Sequence, residues 1–114
     1  MLQFENVSFR YAEDDFDMMR NLNFQVEDRE FVSIIGASGC GKSTIFRLIN
    51  GLEKLQQGRI LVDGRPVQEL KNYSAFMPQK DLLFPWRTIE KNICLPMELA
   101  KVPKAEQELS LIHI

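Results

Sequence analysis

The sequence predicts an α/β fold with an antiparallel β layer at its front. Three observations predict it: period-two apolar spacing in two early segments, a short apolar run that ends in glycines, and a helical apolar stripe directly after those glycines. The chain has 114 residues, of which 45% are hydrophobic and 26% are charged. This is the composition of an ordinary globular domain, so we expect one domain with one hydrophobic core.

Two segments at the start of the chain alternate apolar and polar residues. The first spans residues 2–11 and has a phase slip at Glu5 and Asn6, which indicates either a turn or a β-bulge. The second spans residues 22–27, and we expect the two segments to pair antiparallel with their polar residues facing water. Residues 31–35 are mostly apolar and end at a glycine, a pattern that predicts a strand buried on both faces.

Helix and hairpin patterns follow the glycines. An amphipathic helix is predicted from the glycine loop to a point before Gly58, because apolar residues recur at i, i+3, i+4 and i+7. These residues are Ile45, Leu48, Ile49 and Leu52. Residues 59–67 contain the turn pair Asp63-Gly64 and predict a β-hairpin. Residues 73–77 predict another strand. Thr88 is expected to cap one helix, and Pro103 is expected to begin a further helix.

The glycine-rich segment matches G-x-x-x-x-G-K-[ST] at every fixed position and predicts a phosphate-binding loop (P-loop). Its residues are Gly36, Ala37, Ser38, Gly39, Cys40, Gly41, Lys42, Ser43 and Thr44. Glycines let the backbone curl so that N–H groups point at a polyphosphate, and the N-terminus of the next helix favours the same anion. Lys42 is suited to bridge β- and γ-phosphates, and the Ser43 hydroxyl to ligate Mg²⁺. Kinases, GTPases and motor ATPases share this loop, so the motif alone does not name the reaction.

Charge and cysteine usage exclude several classes of protein. The net charge is -2, so no global positive field attracts nucleic acid, and we expect no nucleic-acid partner. Cys40 and Cys94 are far apart in the sequence with no C-x-x-C pair, which argues against a zinc site and a disulfide framework and favours the cytoplasm. No apolar run approaches the ~20 residues of a membrane span, so any membrane function is expected to act through a partner.

Over residues 1 to about 108, the chain resembles the ATP-binding subunits of ABC transporters. The resemblance rests on residues 2–11, on the loop at residues 36–44, and on Phe76-Met77-Pro78-Gln79, which is similar to the family's Q-loop. It implies a P-loop NTPase core of the ABC ATPase type with an antiparallel β subdomain at the front. It also implies ATP and Mg²⁺ as cofactors.

The resemblance assigns roles to single residues. It implies that Tyr11 stacks on adenine and that Gln79 reaches Mg²⁺ and the attacking water. Lys42 and Gln79 would then be the catalytic residues, and Ser43 and Gln79 the metal ligands. From residue type alone, Tyr11 is as readily a core or edge aromatic, and Gln79 a solvated loop residue.

Residues 82–88 are similar to the corresponding segment of nitrate, sulfonate and taurine importers. This implies an ATPase that drives solute import through separate transmembrane permease subunits, assembles as a homodimer of ATP-binding subunits, and lies in the cytoplasm on the inner face of the membrane. Phe84 and Trp86 are interpreted either as contacts to the permease or as core residues. The alternatives are a non-catalytic nucleotide-binding module and a non-transport ABC-type ATPase of translation or DNA repair.

Several family motifs are missing from the sequence. It has no second acidic pair after an apolar strand, no LSGGQ-like signature and no switch histidine, and we interpret the single histidine, His113, as incidental. We therefore expect a domain truncated before the signature motif, which binds nucleotide weakly and does not hydrolyse it. The family usually has glycine where Arg29 stands, so a left-handed arginine costing about 1 kcal/mol is expected there.

The last six residues break the charged helical pattern that precedes them. Residues 109–114 read like the translation of CTG TCT CTT ATA CAC ATC, which resembles a transposase adapter end. Our hypothesis is that residues 1–108 are the N-terminal part of an ABC transporter ATP-binding domain and that residues 109–114 are a non-native tail. The alternative is a short protein that ends in an apolar tail.

Overall fold

The computed structural model describes residues 1–113, which form two compact units, one spanning Met1–Phe76 and the other starting at Met77. The first unit contains β1 (Leu2–Phe9), β2 (Met19–Val26), α1 (Lys42–Ile49), β3 (Gln57–Val62) and β4 (Arg65–Pro66). The four strands form one sheet in the order β2-β1-β3-β4, and every pairing is antiparallel. The predicted antiparallel β layer is thus confirmed.

The phase slip in the first segment is a β-bulge. β1 pairs with β2 through Leu2 opposite Val26 and Phe4 opposite Phe24, and the register shifts before Val7. Asn6 lies within the shift and has φ 51°, a left-handed conformation that asparagine tolerates better than most residues. The bulge returns the later residues of β1 to the inner face, so Val7 is as buried as Phe4.

The predicted hairpin at Asp63-Gly64 is confirmed. β3 and β4 pair antiparallel, and the two turn residues have φ 50° and φ 77°. A type I′ turn requires positive φ at both of its central residues. This turn is favoured in two-residue hairpins because its backbone twist matches that of the strands. A short 3₁₀ helix, Val67–Glu69, follows and buries Val67.

The hydrophobic core of the first unit contains side chains from the sheet, α1 and the 3₁₀ helix. Its buried members are Phe4, Val7, Phe9, Met19, Leu48, Ile60 and Val67. The helix stripe is partly confirmed, because Leu48 is buried and Ile45 and Ile49 pack against the cluster. Leu52 is not part of the stripe, since α1 ends at Ile49 and the chain reverses at Gly51, which has φ 73°.

Two strand predictions are wrong. Residues 31–35 and 73–77 have no strand structure, and Phe31 and Ile35 are each 93% exposed. A strand buried on both faces needs neighbouring strands and covering layers, and within residues 1–113 the sheet offers no partner to either segment. Tyr73 instead donates a hydrogen bond of 2.6 Å from its hydroxyl to the Ile49 carbonyl at the end of α1.

The turn after β2 adopts the predicted left-handed conformation. Arg29 has φ 65°, and the Glu30 N–H donates to the Glu27 carbonyl at 3.2 Å to close the turn. The Glu30 carboxylate in turn accepts from the Glu27 N–H at 2.8 Å. These two hydrogen bonds fix a backbone conformation that glycine would adopt with less strain.

The second unit contains α2 (Ile89–Leu99) and α3 (Lys104–Ile112). Thr88 caps α2 as predicted, because its hydroxyl accepts a hydrogen bond of 3.2 Å from the Lys91 N–H. Pro103 directly precedes α3, as expected of a residue whose fixed φ suits a helix start. No helix formed by residues 1–113 has both the length and the hydrophobicity needed to cross a bilayer.

Candidate phosphate-binding site

The glycine loop is joined directly to the N-terminus of α1. The helix begins at Lys42, and Gly41 before it has φ 99°, while Gly39 has φ 80°. The Cys40 N–H donates to the Ala37 carbonyl at 3.2 Å and closes a turn that contains Gly39 and directly precedes Gly41. A helix preceded by glycines in the left-handed region presents its unpaired first-turn N–H groups beside a curled backbone, which is the architecture of an anion-binding site.

The Lys42 ammonium lies over the beginning of its own loop. Its Nζ atom donates to the carbonyl oxygens of Gly36 at 2.6 Å and Ala37 at 2.7 Å, and it lies 3.5 Å from the Cys40 sulfur. A Cβ atom at Gly36 would come within 2.5 Å of that sulfur, so a side chain there would force the Cys40 side chain to move away from Lys42. The loop therefore places a full positive charge among backbone carbonyls, whose positions phosphate oxygens could take.

Ser43 and Thr44 differ in their exposure although they are adjacent. Ser43 is exposed in the first turn of α1, so its hydroxyl is open to solvent beside the loop. Thr44 is only 4% exposed and packs on the core side of the helix. Consecutive helical residues point about 100° apart, so one hydroxyl faces outward while the next is buried.

The structure brings Tyr11 to the same helix. Its ring packs edge-on against Phe9, with centroids 4.8 Å apart and planes at 85°, and its hydroxyl lies 2.8 Å from the Thr44 hydroxyl. Tyr11 is half-buried and packs against the core, so it is an edge aromatic that also contacts α1. The stacking of Tyr11 on adenine stays a prediction.

Sequence reasoning missed the contacts between the segment after β1 and the end of the loop. A Cβ atom at Gly41 would lie 3.2 Å from the Met18 side chain, so the third glycine of the motif also permits this close packing. The hydroxyl of Thr44 could have indicated a hydrogen bond such as the one with Tyr11, because a buried hydroxyl in a helix needs a hydrogen-bond partner. Nothing in the sequence pattern identifies Met18 as the neighbour of Gly41.

Gln79 belongs to the second unit, where it is exposed in a bend directly after Pro78. In the same unit the rings of Phe84 and Trp86 have centroids 4.9 Å apart, and Trp86 is 76% exposed. Asn92 of α2 holds this loop, since its side chain accepts from the Phe84 N–H at 2.8 Å. Trp86 is therefore not a core residue of the second unit.

The ABC transporter family model matches residues 19–114, which is most of the chain. The chain belongs to the ABC transporter family. Its sequence is similar to those of curated ABC transporter proteins over most of its length, and its fold is similar to those of solved ATP-binding cassettes.

Three relatives illustrate the sequence similarity. The formylaminopyrimidine import ATP-binding protein ThiZ of Halalkalibacterium halodurans is 41% identical over 109 residues, which cover 96% of this chain and 41% of ThiZ. The aliphatic sulfonates import ATP-binding protein SsuB of Bacillus cereus is 42% identical over 82 residues, covering 72% of this chain and 33% of SsuB. The uncharacterized ABC transporter ATP-binding protein YfiB of Bacillus subtilis is 39% identical over 118 residues, covering 99% of this chain and 20% of YfiB. The chain thus spans well under half the length of these ABC transporter proteins.

Two solved structures of the ATP-binding cassette MJ0796 share the fold of this ABC family member. A dimeric post-hydrolysis state bound to ADP and Pi superposes with a TM-score of 0.77 at 27% identity, and another dimeric structure with a TM-score of 0.79 at 28% identity. Each covers 94% of this chain and 52% of the cassette chain. The predicted α/β ABC ATPase fold is confirmed, and the chain corresponds to about half of such a cassette.

Proposed function

We propose that the chain is the front part of the ATP-binding subunit of an ABC importer, and that the whole protein couples ATP hydrolysis to solute uptake through a separate permease. The observation that carries the proposal is the loop at residues 36–44, where the Lys42 ammonium lies 2.6 Å and 2.7 Å from two loop carbonyl oxygens at the start of α1. The similarity to proteins named import ATP-binding proteins supports the importer assignment.

The loop chemistry fits a nucleoside triphosphate. On nucleotide binding, Lys42 would exchange its carbonyl partners for oxygens of the β- and γ-phosphates, which are stronger acceptors because they carry charge. Backbone N–H groups of the loop and of the first turn of α1 would bind the remaining oxygens. The hydroxyl of the exposed Ser43 is a suitable oxygen ligand for the Mg²⁺ that accompanies ATP. Bound Mg²⁺ would neutralise charge on the phosphates and help to position them.

For Tyr11 of the first unit and Gln79 of the second, we propose the separate roles that the family resemblance implies in the whole protein. The Tyr11 ring lies at the edge of the core with its hydroxyl on α1. A half-buried aromatic beside a phosphate loop is a suitable stacking surface for adenine. The exposed Gln79 amide has an oxygen that can bind Mg²⁺ and accept a hydrogen bond from the attacking water.

The partners follow from the same proposal. The exposed pair Phe84 and Trp86 offers an apolar aromatic surface of the kind that marks protein contacts, and we assign it to the permease. The similarity to dimeric cassettes supports a homodimer of ATP-binding subunits in the whole protein. We propose that this dimer lies in the cytoplasm, on the inner face of the membrane beside the permease.

The chain of 114 residues alone is proposed to bind ATP weakly and not to hydrolyse it. Phosphoryl transfer depends on positioning and charge stabilisation by several groups together, and the sequence lacks the second acidic pair and the signature motif. The segment leading into the loop is also poorly supported, since Phe31 and Ile35 are each 93% exposed. A loop without a fixed strand before it is less well preorganised for a polyphosphate.

ATP turnover by the full-length gene product tests the proposed function. We expect Mg²⁺-dependent hydrolysis that Lys42→Ala abolishes, because the variant removes the charge that binds the β- and γ-phosphates. Lys71→Ala is the matched control, since Lys71 is exposed in the same unit and lies outside the loop. Equal turnover by the wild type and Lys42→Ala would defeat the enzymatic assignment. ATP binding without turnover would favour a non-catalytic nucleotide-binding module.

A further inference from the structure

The hydroxyls of Tyr11 and Thr44 form a contact between the segment after β1 and the P-loop helix. The two oxygens lie 2.8 Å apart, and either one can donate the hydrogen. Among residues 1–113, Thr44 is the only buried polar residue, at 4% exposure. Without the Tyr11 hydroxyl, the buried Thr44 hydroxyl could bond only to a carbonyl of its own helix. The hydrogen bond to Tyr11 therefore lowers the free energy of the folded state.

The segment that carries Tyr11 is itself held in place. The Met18 N–H donates to the Phe9 carbonyl at 2.8 Å, and the Asp14 N–H donates to the Tyr11 carbonyl at 3.0 Å. Met18 packs against Gly41, where a Cβ atom would approach within 3.2 Å. The segment therefore contacts the loop–helix junction at two points, one through Met18 and one through the Tyr11 hydroxyl.

We propose that Thr44 is a positioning residue for the nucleotide base, acting through the Tyr11 hydroxyl. The hydrogen bond fixes the direction of the Tyr11 ring relative to the loop that binds the phosphates. The base platform and the phosphate site are then parts of one preorganised unit, and a purine nucleoside triphosphate binds both together. This inference rests on the proposed function, in which Tyr11 stacks on adenine and the loop binds polyphosphate.

Preorganisation has a measurable consequence. Without the hydroxyl contact, the Tyr11 ring gains rotational freedom that must be lost again when the base stacks. Binding of ATP should weaken, while binding of inorganic tripolyphosphate, which has no base, should not. A role in merely supporting the loop would weaken both ligands equally. The ratio of the two dissociation constants therefore separates positioning from structural support.

The experiment compares dissociation constants for Mg²⁺-ATP and for tripolyphosphate in the full-length gene product. Tyr11→Phe keeps the ring and removes the hydroxyl, and Thr44→Val keeps the branched shape and removes the other hydroxyl. We expect each variant to bind ATP about two- to tenfold more weakly, and Tyr11→Phe, which lies outside the phosphate loop, to keep its affinity for tripolyphosphate. The double variant should lose no more than Thr44→Val alone, because both substitutions remove the same hydrogen bond.

Two further variants serve as controls. Tyr73→Phe removes a tyrosine hydroxyl that bonds the Ile49 carbonyl at the opposite end of α1, and it should leave the ratio of the two constants unchanged. Thr44→Ser retains a hydroxyl and should restore ATP affinity to near the wild-type value, which guards against misfolding of Thr44→Val.

The inference is overturned if Tyr11→Phe binds ATP as the wild type does, if it weakens ATP and tripolyphosphate equally, or if the effects of the single variants add. Its failure can be told apart from that of the proposed function. If the wild type binds ATP and Lys42→Ala binds it more weakly, the phosphate loop is upheld, even when Tyr11→Phe has no effect on ATP affinity. If the wild type binds neither ATP nor tripolyphosphate, both the inference about Thr44 and the proposed function are overturned.

Discussion

The backbone of Gly58 in β3 passes so close to Asn6 in β1 that no side-chain atom fits between them. A Cβ atom at Gly58 would lie 2.5 Å from the Asn6 carbonyl carbon, and Gly58 has φ 84°. Asn6 is the residue at which the bulge of β1 turns the chain, so the bulge and the glycine occupy one tightly packed point of the sheet. The register of the central strand pair depends on both residues.

Gly58→Ala should therefore destabilise the first unit severely. We expect a loss of more than about 3 kcal/mol, because the new methyl group must displace backbone atoms of β1 in addition to adopting a left-handed conformation. Gly64→Ala is the matched control, since Gly64 has φ 77° but a Cβ atom added there would meet no other atom within 4 Å. That variant should cost only about 1 kcal/mol. Thermal or denaturant unfolding checks both values, and equal losses would contradict the steric explanation.

Local patterns in the sequence predicted the elements that depend on local physics. The turn at Asp63-Gly64 and the cap at Thr88 each follow from the conformational preferences of a few adjacent residues, whereas the left-handed Arg29 was expected from the family resemblance. The loop motif before Lys42 likewise predicted where α1 begins. These features need no distant partner, which is why a single sequence suffices to predict them.

Features that depend on distant partners were not predictable. Residues 31–35 and 73–77 have strand-like composition but no strand structure, because apolar runs indicate burial without naming the neighbours that provide it. The hydrogen bond between Tyr11 and Thr44 joins residues 33 positions apart, and no periodicity encodes such a pair. The roles of Tyr11, Lys42, Ser43 and Gln79 at a nucleotide stay predictions.

Arg29→Gly should stabilise the first unit. Arg29 has φ 65°, a conformation that costs a residue with a Cβ atom about 1 kcal/mol and glycine almost nothing. Because glycine also loses more backbone entropy on folding, we expect a net gain of about 0.5 kcal/mol in the free energy of unfolding. Arg29→Ala removes the same charge without relieving the backbone and should give no gain. A gain in both variants would point to the charge instead of the conformation.

Asp17 should make the stability of the first unit depend on pH in the acid range. Its carboxylate accepts from Arg10 at 2.9 Å and from Arg20 at 3.1 Å, and these hydrogen bonds hold the pKa of Asp17 below its ordinary value of 3.8. Because the pKa of Asp17 is lower in the folded state, its stabilisation is present above about pH 4. It is lost as the pH falls through the pKa that Asp17 has in the folded state. The difference in unfolding temperature between the wild type and Asp17→Asn should therefore shrink below that pH. Asp15→Asn, on the same exposed segment, is the matched control and should leave the unfolding temperature nearly unchanged.

The two cysteines should react with thiol reagents at very different rates. Cys40 is exposed in the loop, whereas Cys94 is buried in α2, where burial and the carboxylates of Glu90, Glu98 and Glu108 raise the pKa of its thiol. Thiolates are the reacting species, so one fast and one slow phase are expected with an aromatic disulfide at neutral pH. Cys40→Ala should remove the fast phase, and Mg²⁺-ATP should slow it in the wild type. A fast phase that survives in Cys40→Ala would place Cys94 at the surface.

The binding of Mg²⁺-ATP to the full-length gene product, measured by titration calorimetry, tests the phosphate-binding loop most directly. Lys42 makes charge-assisted contacts to the loop that phosphate oxygens would replace, so its loss removes about 1.5 to 3 kcal/mol of binding free energy. We predict that Lys42→Ala binds at least about tenfold more weakly than the wild type, while Lys71→Ala binds equally well. Equal affinity of the wild type and Lys42→Ala for Mg²⁺-ATP would contradict the assignment of residues 36–44 as the nucleotide site.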